Sequence, residues 1–245
     1  MQQEFGERVV AWYQLASPPA AAPTVERPTM LRRAKSLAKR LLRRAPVVPP
    51  SSIFLAEVEY LRRFAVVAPR LIARGDVHGD AFREALASLR PFFFLTLGGE
   101  LYGAPVLGTV RGAAINQHAG HSPEYKGNQT VYQALYHRDL AKVAATVHVT
   151  TTGADAGPIL RRSNPCLTPT DSPFTIIERV VALGTELMIE CVHEISETGR
   201  ILAFDQPQTG ITYLARDCDA HVRGAVNGDF ARGWLAGAIG RRKAW

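Results

Sequence analysis

The sequence predicts an α/β fold, a mostly parallel sheet with helices on both faces, followed by a small C-terminal extension. Three observations lead there. Short apolar runs rich in branched and aromatic residues alternate with amphipathic stretches as far as residue 160, the pattern of strand–helix–strand units. The 245 residues suffice for one substantial core, alone or with a small appendage. Hydrophobic residues make up 47% and charged residues 21%, an ordinary globular balance.

Taken in order, Arg8 to Leu15 is short, apolar and rich in branched and aromatic residues, and reads as a buried strand. A Pro-rich loop, SPPAAAPTVERPT, precedes MLRRAKSLAKRLLRR, where Leu31, Ala34, Ala38, Leu41, Leu42 and Ala45 recur at helical spacing. Pro46 to Ser52 is a second break, followed by a helix through Phe54 to Arg63 and an apolar piece, Phe64 to Val67. Asp80 stands where a carboxylate caps a helix start, ahead of AFREALASLR. Phe92 to Leu97 is a nearly continuous apolar run, too short for a helix, and reads as a central strand covered on both faces. Gly98 and Gly99 end it and permit close approach of a ligand or backbone. Ala113 to Ile115 is a strand, Thr130 to Tyr136 a helix, and Ala145 to Thr150 a strand followed by the loop Thr151 to Pro158. A longer helix is expected over Ser172 to Glu197, with Ser172 as cap and Pro173 in its first turn.

The formal charge of +7 is local. Between Met30 and Arg44 lie seven basic residues and no acid, so the remainder is neutral by formal count. That window reads first as a surface helix with solvated cations, and alternatively as a contact for an anionic substrate, a nucleic acid or a membrane surface. It contains no interleaved aromatic residue, so a nucleic acid is not the expected partner. Cys166, Cys191 and Cys218 are odd in number and too far apart for a metal clip, which fits packed thiols in a reducing compartment. No apolar run spans a bilayer and no secretory signal opens the chain. A cytoplasmic protein without a metal is the expectation.

Chemistry concentrates where the strand at Ala113 to Ile115 runs out. Asn116 and His118 follow immediately, and Asp155 lies on a later loop, 37 residues beyond His118, far enough for a helical crossover back to a parallel strand. A carboxylate beside an imidazole orients it and raises its pKa, and an amide donates a hydrogen bond without titrating. The trio suits a reaction in which a carbonyl oxygen gains negative charge while protons move. Gly-x-Ser-x-Gly is absent, so direct attack by an amine is easier to defend than a covalent intermediate. Taken singly, each residue also has an ordinary reading as a turn cap or Asx-turn.

Asn116-x-His118 with Pro123 and Gly127, the strand Thr146 to Val149, and the loop ending Asp155-Ala156-Gly157-Pro158-Ile159-Leu160 together resemble the folate-dependent formyltransferases. That group includes enzymes acting on glycinamide ribonucleotide, methionyl-tRNA and amino sugars. The resemblance covers about Leu89 to Leu160. It implies a Rossmann-like catalytic domain and transfer of a formyl group from N10-formyltetrahydrofolate to an amine. It also implies roles: Asn116 for the formyl oxygen, His118 for the developing oxyanion and proton transfer, Asp155 to orient His118 and relay protons through water. Leu97, Gly98, Gly99 and Leu101, with Thr152, Gly153 and Ala154, look like the backbone that receives the pterin. His121, Tyr125 and Lys126 are candidate substrate contacts, with a solvated loop rim as their ordinary reading. His148 matches a histidine common in relatives, with a packed, hydrogen-bonded ring as its usual explanation.

Relatives begin with a strand, a Gly-containing turn and a helix ahead of the Arg8 to Leu15 strand, so the first βα unit is expected to be missing here. That counts against glycinamide ribonucleotide as substrate. The 83 residues after Arg162 are too few for the β-barrel of tRNA-formylating relatives, which leaves a small-molecule amine, such as an amino sugar or a biosynthetic precursor, as the expected partner. The expected domains are 1–199, with a basic helical insertion at about 29–45, and a C-terminal extension, 200–245. A formyltetrahydrofolate hydrolase and a non-catalytic binding protein are the alternatives, and an oligomer is compatible with all three.

Overall fold

The computed structural model describes residues 9, 11, 13–15 and 70–242. The Pro-rich breaks, the basic helix at about 29–45, and the expected elements from Phe54 to Val67 lie outside the described residues. Strands β1 (Tyr13–Leu15) and β2 (Arg70–Ile72) pair in parallel within one unit, Met1–Ala73. Everything below belongs to the second unit, Arg74–Trp245.

Helix α1 (Asp80–Leu89) starts one residue earlier than its sequence suggests. Gly79 is the cap, and the Asp80 carboxylate instead sits in the first turn, paired with Arg83 at 2.9 Å. There it still complements the positive end of the helix dipole. Strand β3 (Phe93–Leu97), the short helix α2 (Ala104–Leu107) and strand β4 (Ala113–His118) follow. After β5 (Tyr125–Gly127) come helix α3 (Thr130–Tyr136), β6 (Ala145–Val149) and β7 (Ile159–Ser163).

The α/β class holds, with a mixed sheet at its centre. Strand order is β3-β4-β6-β7; β3 and β4 are parallel, whereas β6 is antiparallel to both β4 and β7. The expected parallel return after His118 is therefore corrected: the connection through α3 brings β6 back in the opposite direction, with Asn116 opposite His148 and His118 opposite Thr146. Among the described residues β3 is an edge of this sheet and its side chains are mostly half-buried, in contrast to the covered central strand expected. The covered strand is β6, whose Ala145, Thr146, Val147 and His148 are all buried.

β4 also runs three residues beyond the predicted Ile115. Its polar end, Asn116-Gln117-His118, stays in the ladder because each side chain finds partners on one face or the other. Successive side chains point to opposite faces of a strand. Gln117 faces helix α4 (Pro173–Thr198), where its amide donates to the Val181 carbonyl at 2.7 Å and accepts from Thr185 at 3.1 Å. Asn116 and His118 consequently share the other face.

α4 starts as its sequence suggests. The Ser172 hydroxyl accepts from the Thr175 N–H at 3.1 Å, the Thr175 hydroxyl accepts from the Ser172 N–H at 2.9 Å, and Pro173 occupies the first turn. Ile176 and Val180 of α4 are fully buried in a core with Val131 and Leu135 of α3. The same core takes Val226 from helix α5 (Ala220–Ala231) and Leu235 from helix α6 (Trp234–Arg242). Between α4 and α5 the chain returns to the sheet. Phe204 exchanges two 2.8 Å backbone hydrogen bonds with Ile159, and strand β8 (Ile211–Tyr213) pairs in parallel with β5. Among the described residues no helix is long and apolar enough to cross a membrane.

The reciprocal cap gives a direct test. Ser172→Ala removes an acceptor for the first-turn amides and is expected to lower unfolding free energy by about 1 kcal/mol. Urea denaturation would show this as a lower midpoint at unchanged slope; an unchanged midpoint would mean that tertiary packing alone starts the helix.

Candidate active site

The three residues singled out at the end of β4 and on the β6–β7 loop meet around one carboxylate. Asp155 Oδ1 lies 3.3 Å from Asn116 Nδ2 and 3.2 Å from His148 Nε2. Asp155 Oδ2 lies 3.2 Å from His118 Nδ1 and accepts the Gly127 N–H at 2.7 Å. The carboxylate is therefore gripped from β4, β5 and β6, and its side chain is only 13% exposed.

Each partner is fixed in turn. Asn116 Oδ1 accepts from the Thr96 hydroxyl at 2.8 Å, so the amide presents Nδ2 to His148 Nε2 at 3.1 Å and to Asp155. His148 Nδ1 is 2.9 Å from the Val149 carbonyl, and its Nε2 faces both the Asn116 amide and the Asp155 carboxylate, to which it donates when it carries a proton. His118 Nε2 is 2.8 Å from the Tyr125 carbonyl. Both neighbours of the His118 ring, that carbonyl and the Asp155 carboxylate, are acceptors, so a proton on either nitrogen has a partner waiting.

Burial pushes the His118 pKa down, and the Asp155 charge and Tyr125 carbonyl oppose this without cancelling it. Burial pushes the Asp155 carboxyl up, yet His118, His148 and the Gly127 N–H outweigh it and hold the group at about 2. The result is a carboxylate that stays charged beside an imidazole that gives up its proton more readily than a free histidine.

Two glycines set this geometry. A side chain at Gly120 would place its Cβ 2.2 Å from His118 Nε2 and 2.4 Å from the Thr130 hydroxyl. Gly127 has φ +87° and turns its N–H onto Asp155; a Cβ there would collide with the Tyr213 carbonyl. Asp155 itself sits at φ +47°, a left-handed conformation that few side chains tolerate and Asp tolerates best with Asn.

The remaining candidates divide. Leu97 and Leu101 expose apolar side chains on either side of Gly98 and Gly99, which have φ +59° and +105°. Thr152 and Gly153 are exposed and Ala154 half-buried. Both segments leave strands that flank β4: Leu97 follows Thr96, and Ala154 precedes Asp155.

His121, Tyr125 and Lys126 are not the solvated rim suggested by their neighbours in sequence, for all three are buried. His121 Nδ1 binds Glu124 at 2.8 Å, and Lys142 binds the same carboxylate at 2.5 Å. Tyr125 and Lys126 belong to β5, with the Tyr125 ring stacked on Tyr213.

Sequence reasoning leaves four contributors outside the site: Thr96, His148, Gly120 and Gln206. Thr96 is a lone hydroxyl in an apolar strand, and His148 a histidine one residue from a strand end. Both carry a usable signal once the register with Asn116 is known. Gln206, whose Nε2 donates to the Asp155 and Gly157 carbonyls, carries none.

Residues 53–192 match a family model described as Formyl transferase. In sequence the chain is similar to the methionyl-tRNA formyltransferase of Burkholderia pseudomallei (strain 668), 30% identical over 118 residues. That alignment covers 48% of this chain and 36% of the relative, so the match spans about a third of the relative's length. In fold it is similar to the formyltransferase PseJ from Anoxybacillus kamchatkensis, solved in complex with UDP-4,6-dideoxy-4-formamido-L-AltNAc and tetrahydrofolate. The TM-score is 0.52 at 18% identity, over 67% of this chain and 83% of that one. A sugar N-formyltransferase from Shewanella sp gives 0.52 at 15% identity, over 66% and 60%. At these identities the structural likeness is one of fold.

Gly120→Ala is expected to displace the His118 ring while leaving secondary structure intact. Nuclear magnetic resonance of the imidazole nitrogens would show it, and an unshifted His118 signal would contradict the packing described. The acid range tests Asp155. Its carboxyl titrates at about 2 in the folded chain against an ordinary 3.8, so its stabilisation is full above about pH 4 and is lost as pH falls toward 2. Asp155→Asn is therefore expected to be less stable than the parent at neutral pH, by on the order of 2 kcal/mol, with the gap closing across that window. Urea titrations at several pH values measure it.

Proposed function

The chain belongs to the formyl transferase family, and from that premise we propose that it moves a formyl group from N10-formyltetrahydrofolate to the amine of a small molecule, an amino sugar or a biosynthetic precursor. The observation that carries this reading is the convergence of Asn116 and His118 on the largely buried Asp155 carboxylate within the matched residues.

The described residues offer features that fit the folate donor, which would supply the activated formyl group. Leu97 and Leu101 give apolar surface to a flat ring, and Gly98 and Gly99 keep the backbone between them open. Thr152, Gly153 and Ala154 offer exposed or half-exposed main chain one step from Asp155.

In this reading Asn116 donates Nδ2–H to the oxygen that gains charge when the amine attacks. Its Oδ1 is already held by Thr96, so the donor end is the one aimed at the site. His118 stabilises that charge and takes part in moving the amine's proton. Asp155 keeps the ring oriented and, charged throughout the neutral range, favours the imidazolium when a proton arrives. His148 Nε2 lies 3.1 Å from the Asn116 amide and 3.2 Å from the Asp155 carboxylate and keeps the two together. Residues 1–199 would carry the chemistry, with 200–245 as an extension. His121, Tyr125 and Lys126, all buried, would act on the acceptor side by holding the segment between β4 and α3 in place.

The acceptor class is supported by fold neighbours that are sugar N-formyltransferases. The protein, N10-formyltetrahydrofolate and a panel of amines that includes nucleotide-linked amino sugars would be incubated, and tetrahydrofolate release and a formylated product followed. Amine-dependent release is expected. Release at the same rate with water alone would point to hydrolysis, and no release under any condition would end the proposal. Asn116→Ala, His118→Ala and Asp155→Ala are each expected to lower turnover by roughly 10²–10³ without unfolding the chain. Near-normal transfer by His118→Ala would falsify the assignment.

A further inference from the structure

We infer that Gln206 is a positioning residue for Asp155, clamping the backbone of the β6–β7 loop so that the carboxylate stays between His118 and His148. This rests on the proposed role of Asp155 and extends it to a residue 51 positions away in the chain.

The geometry begins at the sheet edge. Phe204 and Ile159 exchange both backbone hydrogen bonds, which sets an antiparallel register in which Gln206 comes opposite Gly157. Backbone pairing stops at this single bridge and does not reach Gly157 and Gln206. The Gln206 side chain takes over. Its Nε2 donates to the Asp155 carbonyl at 2.9 Å and to the Gly157 carbonyl at 2.5 Å, using both amide protons on one loop.

That loop is closed at its neck by the Val149 N–H on the Pro158 carbonyl at 2.9 Å. Between neck and tip, Asp155 holds a left-handed φ of +47°. A conformation of this kind persists only where the surroundings over-determine it. The Gln206 amide supplies that restraint at the Asp155 peptide itself. Gln206 is 8% exposed and its Oε1 is buried with no hydrogen-bond partner. Burying an unsatisfied carbonyl costs stability, so the side chain is held there by what its donor end does.

The test uses Gln206→Met, which keeps length and bulk and removes both donors. Three readouts are combined. The first is the pH titration of the His118 imidazole by nuclear magnetic resonance, since the titratable groups facing that ring are Asp155 and His148, with the Tyr125 carbonyl as its other neighbour. With Asp155 released, the His118 midpoint is expected to fall. The second is kinetic: a kcat loss of about 10- to 100-fold with acceptor KM little changed, the signature of a misplaced catalytic group.

The third needs no variant that folds. In the parent, the two Gln206 side-chain amide protons are expected to exchange with solvent far more slowly than those of an exposed glutamine. Exchange at the exposed rate, or a His118 titration unmoved in a folded Gln206→Met, would overturn the inference. Absence of formyl transfer by the parent would defeat the proposed function, and the titration and exchange would still decide the part played by Gln206.

Discussion

The structure depends on a charged carboxylate kept largely out of water. Asp155 is held by an amide, two imidazoles and a backbone N–H, drawn from β4, β5 and β6. An ionised group so buried is tolerable only when its oxygens are satisfied, and here each oxygen has two contacts. Much of the local architecture serves that condition. Thr96 fixes which end of Asn116 faces the carboxylate, Gly127 turns a backbone N–H toward it, and Gly120 leaves room for the His118 ring.

The antiparallel return of β6 makes this possible. Had β6 run parallel to β4, its loop would leave from the carboxyl end of the sheet and His148 would not fall opposite Asn116. In the observed register, His148 and Thr146 sit beside Asn116 and His118 on one face, and the loop folds back to set Asp155 over them. The opposite face is given to stability: Gln117 ties β4 to α4, and α4 joins α3, α5 and α6 in the apolar core. One strand thus carries packing on one side and the candidate site on the other, as its alternation requires.

Elements with strong local causes are legible in the amino-acid sequence. The Ser172-Pro173 start of α4 and the limits of α3 follow from capping and periodicity, and both stand as expected. Strand direction is not legible there, because a helix-containing connection of this length permits either return and nothing local in residues 119–144 chooses between them. The end of β4 is misplaced for a related reason. Polar residues ordinarily end a buried strand, and only their partners on β3, β6 and α4 keep Asn116, Gln117 and His118 in the ladder. The trio itself is visible because each member follows or terminates an apolar run. The burial of His121, Tyr125 and Lys126 is not, since it comes from β8, Lys142 and the Glu124 carboxylate, all distant in sequence or unremarkable in type.

Folding alone does not account for so polar a sheet face. Well-packed apolar side chains at Asn116, His118, His148 and Asp155 would avoid desolvating a charge, holding a residue at positive φ and burying an unpartnered Gln206 oxygen. Such costs gather at sites where geometry matters more than stability. Here the outliers lie on adjoining residues and partners of one loop. The left-handed Asp155 is bound through its carbonyl by Gln206, and through its carboxylate by the residues that end β4. The segment after α4 therefore bears on the candidate site through the backbone of that loop, joined to it by the Phe204–Ile159 bridge and the Gln206 amide.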